Sequence, residues 1–135
     1  MVSGAITNSL YLESATFQDE IDTYKKADWV KGTQKLFVAE KSHVELVEGS
    51  LVVSSAAVNF RFNEYLQFRI PFRPTVTLTG RVLLERDPTT GLISSYREFW
   101  DQDLKTDMLR DVVQASIISH ISSQLLLVER VYNIF

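Results

Sequence analysis

The stretch that decides the fold is AVNFRFNEYLQFRI, residues Ala57–Ile70. Apolar and polar side chains alternate along it, and a period of two is typical of a β-strand with one buried face. The apolar row consists of Val58, Phe60, Phe62, Leu66, Phe68 and Ile70. Only Glu64 interrupts that row. We therefore predict a long half-buried strand that carries one acid on its apolar face.

The segments that follow predict an antiparallel meander. Two prolines end the first strand, because proline cannot donate to a strand ladder. Thr75–Arg86 alternates again, with Gly80 on its apolar face at an expected bend or bulge. The sequence DPTTG, Asp87–Gly91, is typical of a hairpin turn, and Leu92–Asp101 then returns as the partner strand.

The 135 residues suit one domain, in which three segments differ in their pattern of apolar and polar residues. Residues 1–50 predict a strand, a loop and a short helix, and residues 51–103 predict the meander. Residues 104–130 change period, since apolar side chains recur there every three or four positions. That recurrence predicts a long C-terminal helix.

Composition excludes several classes of protein. The net charge is −3 and the basic residues are scattered, so a nucleic-acid partner is not expected. With no cysteine and only two histidines, we expect no disulfide, no metal site and no cofactor. No apolar run is long enough to predict a membrane span or a secretory signal. We therefore expect a soluble intracellular protein.

The segment YLESATFQDEIDTYKKADWVKG, Tyr11–Gly32, resembles the nuclear transport factor two-like pattern. In that pattern a short aromatic strand ends in an acid, and a loop leads to a glycine that opens a short helix. Phe17, Asp19 and Gly32 match these places. The closing strand is similar to plant and algal members of unknown function, for which a plastid location is an option. The resemblance covers about residues 9–103.

The resemblance implies an α+β domain. Its sheet is expected to be strongly curved and mostly antiparallel, with four to six strands packed on the long C-terminal helix. Members of the superfamily usually open with two helices that fill the concave sheet, and this chain has too few residues before Leu10 to supply them. The C-terminal helix is expected to take over part of that role. A helix-grip fold is the alternative.

The superfamily includes ketosteroid isomerases and polyketide cyclases, which use an acidic or histidine base in an apolar cone. Glu98 is the first candidate for such a base, because Tyr96 and Trp100 share its face of the strand. All three residues are candidates for binding a ligand. The alternative reading makes Glu98 a surface residue that pairs with Arg81 or Arg69.

Two further carboxylates are candidates for the base. Glu64 needs a partner or a proton if it is buried, although a bulge at Asn63–Glu64 would turn it outward. Asp19 lies where some enzymes of the superfamily keep their base, but acids beside it also suit a solvated face or a helix cap.

Three other side chains are candidates for lining the ligand site. Tyr24 and Trp29 flank a basic pair and either gate a pocket or hold the loop to the core. Arg69 can hold an anionic group at the mouth of the cavity, although a plain surface role is the alternative.

Two functions follow from these residues, and a third remains open. The domain is expected to bind a small apolar ligand between sheet and helix, or to act as a protein-interaction module. A homodimer through the sheet or the C-terminal helix is expected, because both sheet faces carry apolar residues. These are Leu83, Ile93 and Phe99 on one face and Val82, Leu92 and Trp100 on the other. The remaining function is an isomerase or cyclase.

Overall fold

The computed structural model describes residues 3–71 and 73–103. One α-helix and seven strands lie in that part of the chain, and the helix follows the second strand. They are β1 Tyr11–Gln18, β2 Thr23–Lys25, α1 Lys26–Leu36, β3 His43–Leu46, β4 Val52–Val53, β5 Ala57–Gln67, β6 Thr75–Arg86 and β7 Ile93–Trp100. The predicted C-terminal helix lies outside the described residues.

The strands form one curved, mixed sheet in the order β2-β1-β7-β6-β5-β3, and β4 also pairs with β5. The pairing of β1 with β7 is parallel and the other pairings are antiparallel. The α+β class is thus confirmed, but the expected four to six strands are too few. β2 and β4 have three and two residues, which is too short to show an alternating pattern.

The pairing of β5 with β6 runs without a register shift from Ala57 opposite Glu85 to Gln67 opposite Thr75. A bulge at Asn63–Glu64 is therefore absent. We call the face that bears Phe62 and Val82 the inner face, and Glu64 lies on it opposite Leu78.

Gly80 marks a close approach of two strands. It pairs with Phe62 on one side and Trp100 on the other, with the register unbroken. A Cβ at this position would lie 2.2 Å from the carbonyl oxygen of Phe99. The expected bend or bulge is thus a tight contact without a bulge, because only glycine leaves room for the neighbouring backbone.

The two sheet faces differ from the expectation at Ile93 and agree with it at Phe99. A register shift in β7 places Ile93 against the inner core, not on the outer face with Leu83. The ring of Phe99 does lie on the outer face, where the guanidinium of Arg81 stands 3.9 Å from its centroid. That contact covers part of the apolar ring with a cation.

Aromatic stacking holds α1 over the inner face. The ring of Trp29 lies 4.7 Å from the ring of Phe17, which lies 5.1 Å from that of Tyr96. The helix starts at Lys26, directly after the extended Lys25 that ends β2. Gly32 therefore lies in the middle of α1, and the prediction that it opens the helix is wrong.

Candidate functional site: an acidic cavity between helix and sheet

A cavity of about 370 Å³ lies between α1 and the inner face of the sheet. Its volume falls within the range of small-molecule sites in proteins. Apolar side chains from α1, β5, β6 and the loops form much of its wall: Ile21, Leu36, Phe37, Leu66, Phe68 and Leu78. The site is therefore concave and largely apolar, and its polar groups are few enough to be considered one by one.

Glu98 points into this cavity from β7. The hydroxyl of Tyr96 donates to its Oε1, and the indole N–H of Trp100 donates to its Oε2 at 3.1 Å. Burial raises the pKa of Glu98, while these two hydrogen bonds lower it. The strand alternation brings the three residues together, since side chains two apart share a face.

The alternative pairing of Glu98 with an arginine at the surface does not occur. Arg81 lies on the outer face of β6, where it covers Phe99. Arg69 is exposed, and its Nε donates to the carbonyl oxygen of Phe37 at 2.6 Å. Neither arginine is among the described residues that line the cavity, so the expected anion-holding role of Arg69 has no geometric support there.

Glu64 is the second carboxyl group of the cavity. Only 6% of the residue is exposed, and β5 presents it on the inner face. Burial and the nearby charge of Glu98 raise the pKa of Glu64 to about 7. At pH 7 the Glu64 carboxyl group is therefore about half protonated.

Asp19 lies at the end of β1 and also lines the cavity. Its Oδ1 accepts hydrogen bonds from the backbone N–H groups of Ile21 at 2.8 Å and Asp22 at 2.9 Å. Burial raises the pKa of Asp19, and the two backbone donors oppose that rise. The residue thus closes a turn and adds a third acid to the site.

The remaining predicted ligand-binding residues divide into two groups. Trp29, Trp100 and Tyr24 line the cavity. Tyr96 is 4% exposed and lies beneath the cavity. It acts on the ligand site through its hydrogen bond to Glu98. The two tryptophans are the only ones in the chain, so its indole fluorescence reports on this cavity.

Several residues of α1 that line the cavity were not predicted from the sequence, and three of them follow one helical spacing. They are Asp28, Gly32 and Lys35, which recur at spacings of four and three and so share one side of the helix. That spacing identifies them only once α1 is known to span Lys26–Leu36.

Within residues 3–71 and 73–103, no group of three or more His, Asp or Glu side chains is arranged to hold a metal ion. In the same part of the chain, no helix has the length and hydropathy needed to cross a membrane.

Comparison with known proteins places the fold. No protein-family model and no curated protein sequence matches the chain. Among solved structures, PrhC from Penicillium brasilianum has a TM-score of 0.59 at 16% identity, covering 79% of this chain and 76% of that one. SalBIII, an epoxide hydrolase/cyclase-like enzyme in pyran ring formation in salinomycin, has a TM-score of 0.55 at 17% identity, covering 70% and 74%.

A third similar structure is described by its fold. It is a hypothetical protein from Catenulispora acidiphila with a ketosteroid isomerase-like protein fold, solved in complex with trimethylamine. Its TM-score is 0.54 at 14% identity, covering 68% of this chain and 70% of that one. At these identities the likeness concerns the fold. The chain therefore has the fold of the nuclear transport factor two-like superfamily, as the resemblance of residues 9–103 predicts.

Proposed function

We propose that this protein binds a small, largely apolar molecule in the cavity between α1 and the sheet. The observation that carries the proposal is the cavity itself, about 370 Å³ with mostly apolar walls and a carboxylate acceptor at Glu98 that is fixed by two side-chain donors. Sites for small molecules usually combine apolar walls with a few placed polar groups.

Gly32 supplies a sharp test of this proposal. It lines the cavity from the middle of α1, and no atom lies within 4 Å of a Cβ added there. Gly32→Phe therefore adds a ring to the cavity side of the helix without a steric clash at Cβ. Lys31→Phe is the matched control, since Lys31 is exposed on the same helix and is not a lining residue.

The experiment is a tryptophan-fluorescence titration with neutral cyclic ketones and alcohols that fit the cavity volume. We expect saturable binding to the unmodified protein and to Lys31→Phe, and at least about tenfold weaker binding to Gly32→Phe, equivalent to about 1.4 kcal/mol. Equal binding by all three proteins would contradict the proposal, as would a failure of both neutral and cationic molecules of this size to bind the unmodified protein.

A second candidate function is general acid–base catalysis on the bound molecule, as in an isomerase or cyclase. The observation that favours it is the pairing of Glu98, whose two donors favour the carboxylate, with Glu64, whose pKa is about 7. One group can then accept a proton while the other supplies one near neutral pH.

The base can be tested without the natural substrate. In 5-nitrobenzisoxazole a base takes the C3 proton, the N–O bond breaks and its electrons remain on the phenolate oxygen. We expect turnover above that of free acetate at equal concentration, and its loss in Glu98→Gln. Glu85→Gln, at an exposed position of β6, is the control. A rate unaffected by Glu98→Gln would remove Glu98 as the base.

The third element of the proposal is a homodimer. Five large apolar side chains are exposed on β3, β4 and the turn between them: Val44, Leu46, Leu51, Val52 and Val53. An exposed apolar group of this size at a sheet edge favours association. We expect a dimer by sedimentation velocity and a shift to monomer in Val52→Glu; a monomeric unmodified protein at micromolar concentration would contradict it.

A further inference from the structure

The charges of the cavity are predominantly negative. Four carboxyl groups line it, from Asp19, Asp28, Glu64 and Glu98, against the ammonium group of Lys35 among the described lining residues. The positive charge of the N-terminal amino group also lowers the pKa of Glu64 and Glu98. Even with Glu64 protonated and both cations counted, three acids face two cations and the site remains net negative. A negative site with low-dielectric walls attracts cations and repels anions.

The aromatic residues of the same cavity fit the same kind of ligand. The rings of Tyr24, Trp29 and Trp100 line it beside the acids. Faces of tryptophan and tyrosine rings attract organic cations, and this attraction grows where water is excluded. Because one ring face of Trp29 packs on Phe17, the indole is held rigidly and costs little ordering on binding.

The acceptor at the centre of the site is already oriented. Both oxygens of Glu98 accept hydrogen bonds from Tyr96 and Trp100, so the carboxylate cannot rotate freely. A fixed carboxylate beside aromatic faces is a site for a charged nitrogen with an apolar substituent. No described acidic cluster has the arrangement of a metal site, which favours an organic cation over a metal ion.

From these contacts we infer that the molecule bound in the cavity is a small organic cation, an amine or quaternary ammonium whose charge lies near Glu98 and the rings of Trp29 and Trp100. The inference rests on the proposed ligand-binding function and names its ligand class. It predicts charge selectivity, which neutral apolar binding alone does not.

The test uses three probes of nearly the same shape: choline with charge +1, 3,3-dimethylbutan-1-ol with charge 0, and 3,3-dimethylbutanoate with charge −1. Binding is followed by tryptophan fluorescence and by saturation-transfer NMR at physiological ionic strength. We expect choline to bind at least about tenfold more tightly than the alcohol, a difference of about 1.4 kcal/mol, and the carboxylate to bind most weakly.

Three variants test which carboxylate causes the preference for choline over the neutral alcohol. Glu98→Gln should reduce the advantage of choline over the alcohol severalfold. Asp19→Asn is a second variant that keeps the turn, because the amide oxygen can still accept from Ile21 and Asp22. It should reduce the advantage less, while the exposed Glu85→Gln should leave it unchanged.

The outcomes separate this inference from the function on which it rests. If the alcohol binds as tightly as choline, the cavity binds ligands but is not selective for cations, and the inference is overturned. If choline binds tightly and Glu98→Gln keeps the full preference, the assigned position is wrong. If neither these probes nor the neutral ketones bind, both fail.

Discussion

Glu64 and Glu98 face one cavity from the two strands that flank β6, and Gly80 lies diagonally between them on that strand. Two acids thus share one cavity, and the position between them on β6 has no side chain. Burial, and then the charge of Glu98, raise the pKa of Glu64 to about 7 from its ordinary value of 4.5. The arrangement is costly for the fold above neutral pH, which is typical of a site kept for its chemistry.

Stability should fall as the pH rises through the range between these two values. The folded protein retains the Glu64 proton up to a pH of about 7, whereas the unfolded chain releases it near 4.5. Between them the folded state binds more protons, so the free energy of unfolding decreases with pH. The shift corresponds to about 3 kcal/mol.

Urea unfolding at pH 5 and pH 8 measures this effect. We expect the free energy of unfolding of Glu64→Gln to decrease much less between these two pH values than that of the unmodified protein. A smaller decrease should remain, because the pKa values of Glu98 and Asp19 are also raised. Glu85→Gln controls for the removal of one charge at an exposed position. A Glu64→Gln protein with the same fall as the unmodified one would refute the assignment.

Tyr96→Phe should raise the pKa of Glu98 further. The Tyr96 hydroxyl donates to the carboxylate and so favours its charged form. Carbon-13 NMR titration of labelled glutamate side chains measures the change, with Tyr65→Phe as the control on the outer face. An unchanged or lower pKa for Glu98 would show that the hydroxyl does not act on it.

Two glycine substitutions should change stability in opposite directions. Gly80→Ala puts a methyl group 2.2 Å from the Phe99 carbonyl oxygen, and we expect a loss of about 2–4 kcal/mol. Gly32→Ala meets no atom within 4 Å and favours the helix, so we expect a gain of about 0.5–1 kcal/mol. Chemical denaturation compares them, and equal effects would contradict the packing described for β6 and β7.

Trp29→Ala should loosen α1 from the sheet. It removes the ring that lies 4.7 Å from Phe17 and 5.7 Å from Tyr96. We expect a loss of about 2–3 kcal/mol, less than for a fully buried tryptophan because the residue is half-buried. Val30→Ala, the half-buried neighbour, should cost less than Trp29→Ala, and equal losses would argue against the stack.

Local patterns were sufficient to predict the long strands. The alternation from Val58 to Ile70 locates β5, whose length is 11 residues, and the DPTTG turn separates β6 from β7. The same rule places Tyr96, Glu98 and Trp100 on one face, since side chains two apart in any strand point the same way. This rule does not identify the short strands β2 and β4, because two or three residues show no period.

The sequence by itself determined the strand alternation and the grouping of Glu98 with two aromatic residues, because each depends on neighbours along the chain. Only the tertiary structure decided that this face is the inner one, that Glu64 and Asp19 share its cavity, and that Arg69 does not. Those facts depend on which strands pair and where α1 lies. Such contacts join residues far apart in the chain, and burial, not sequence spacing, then sets the charge of the acids they bring together.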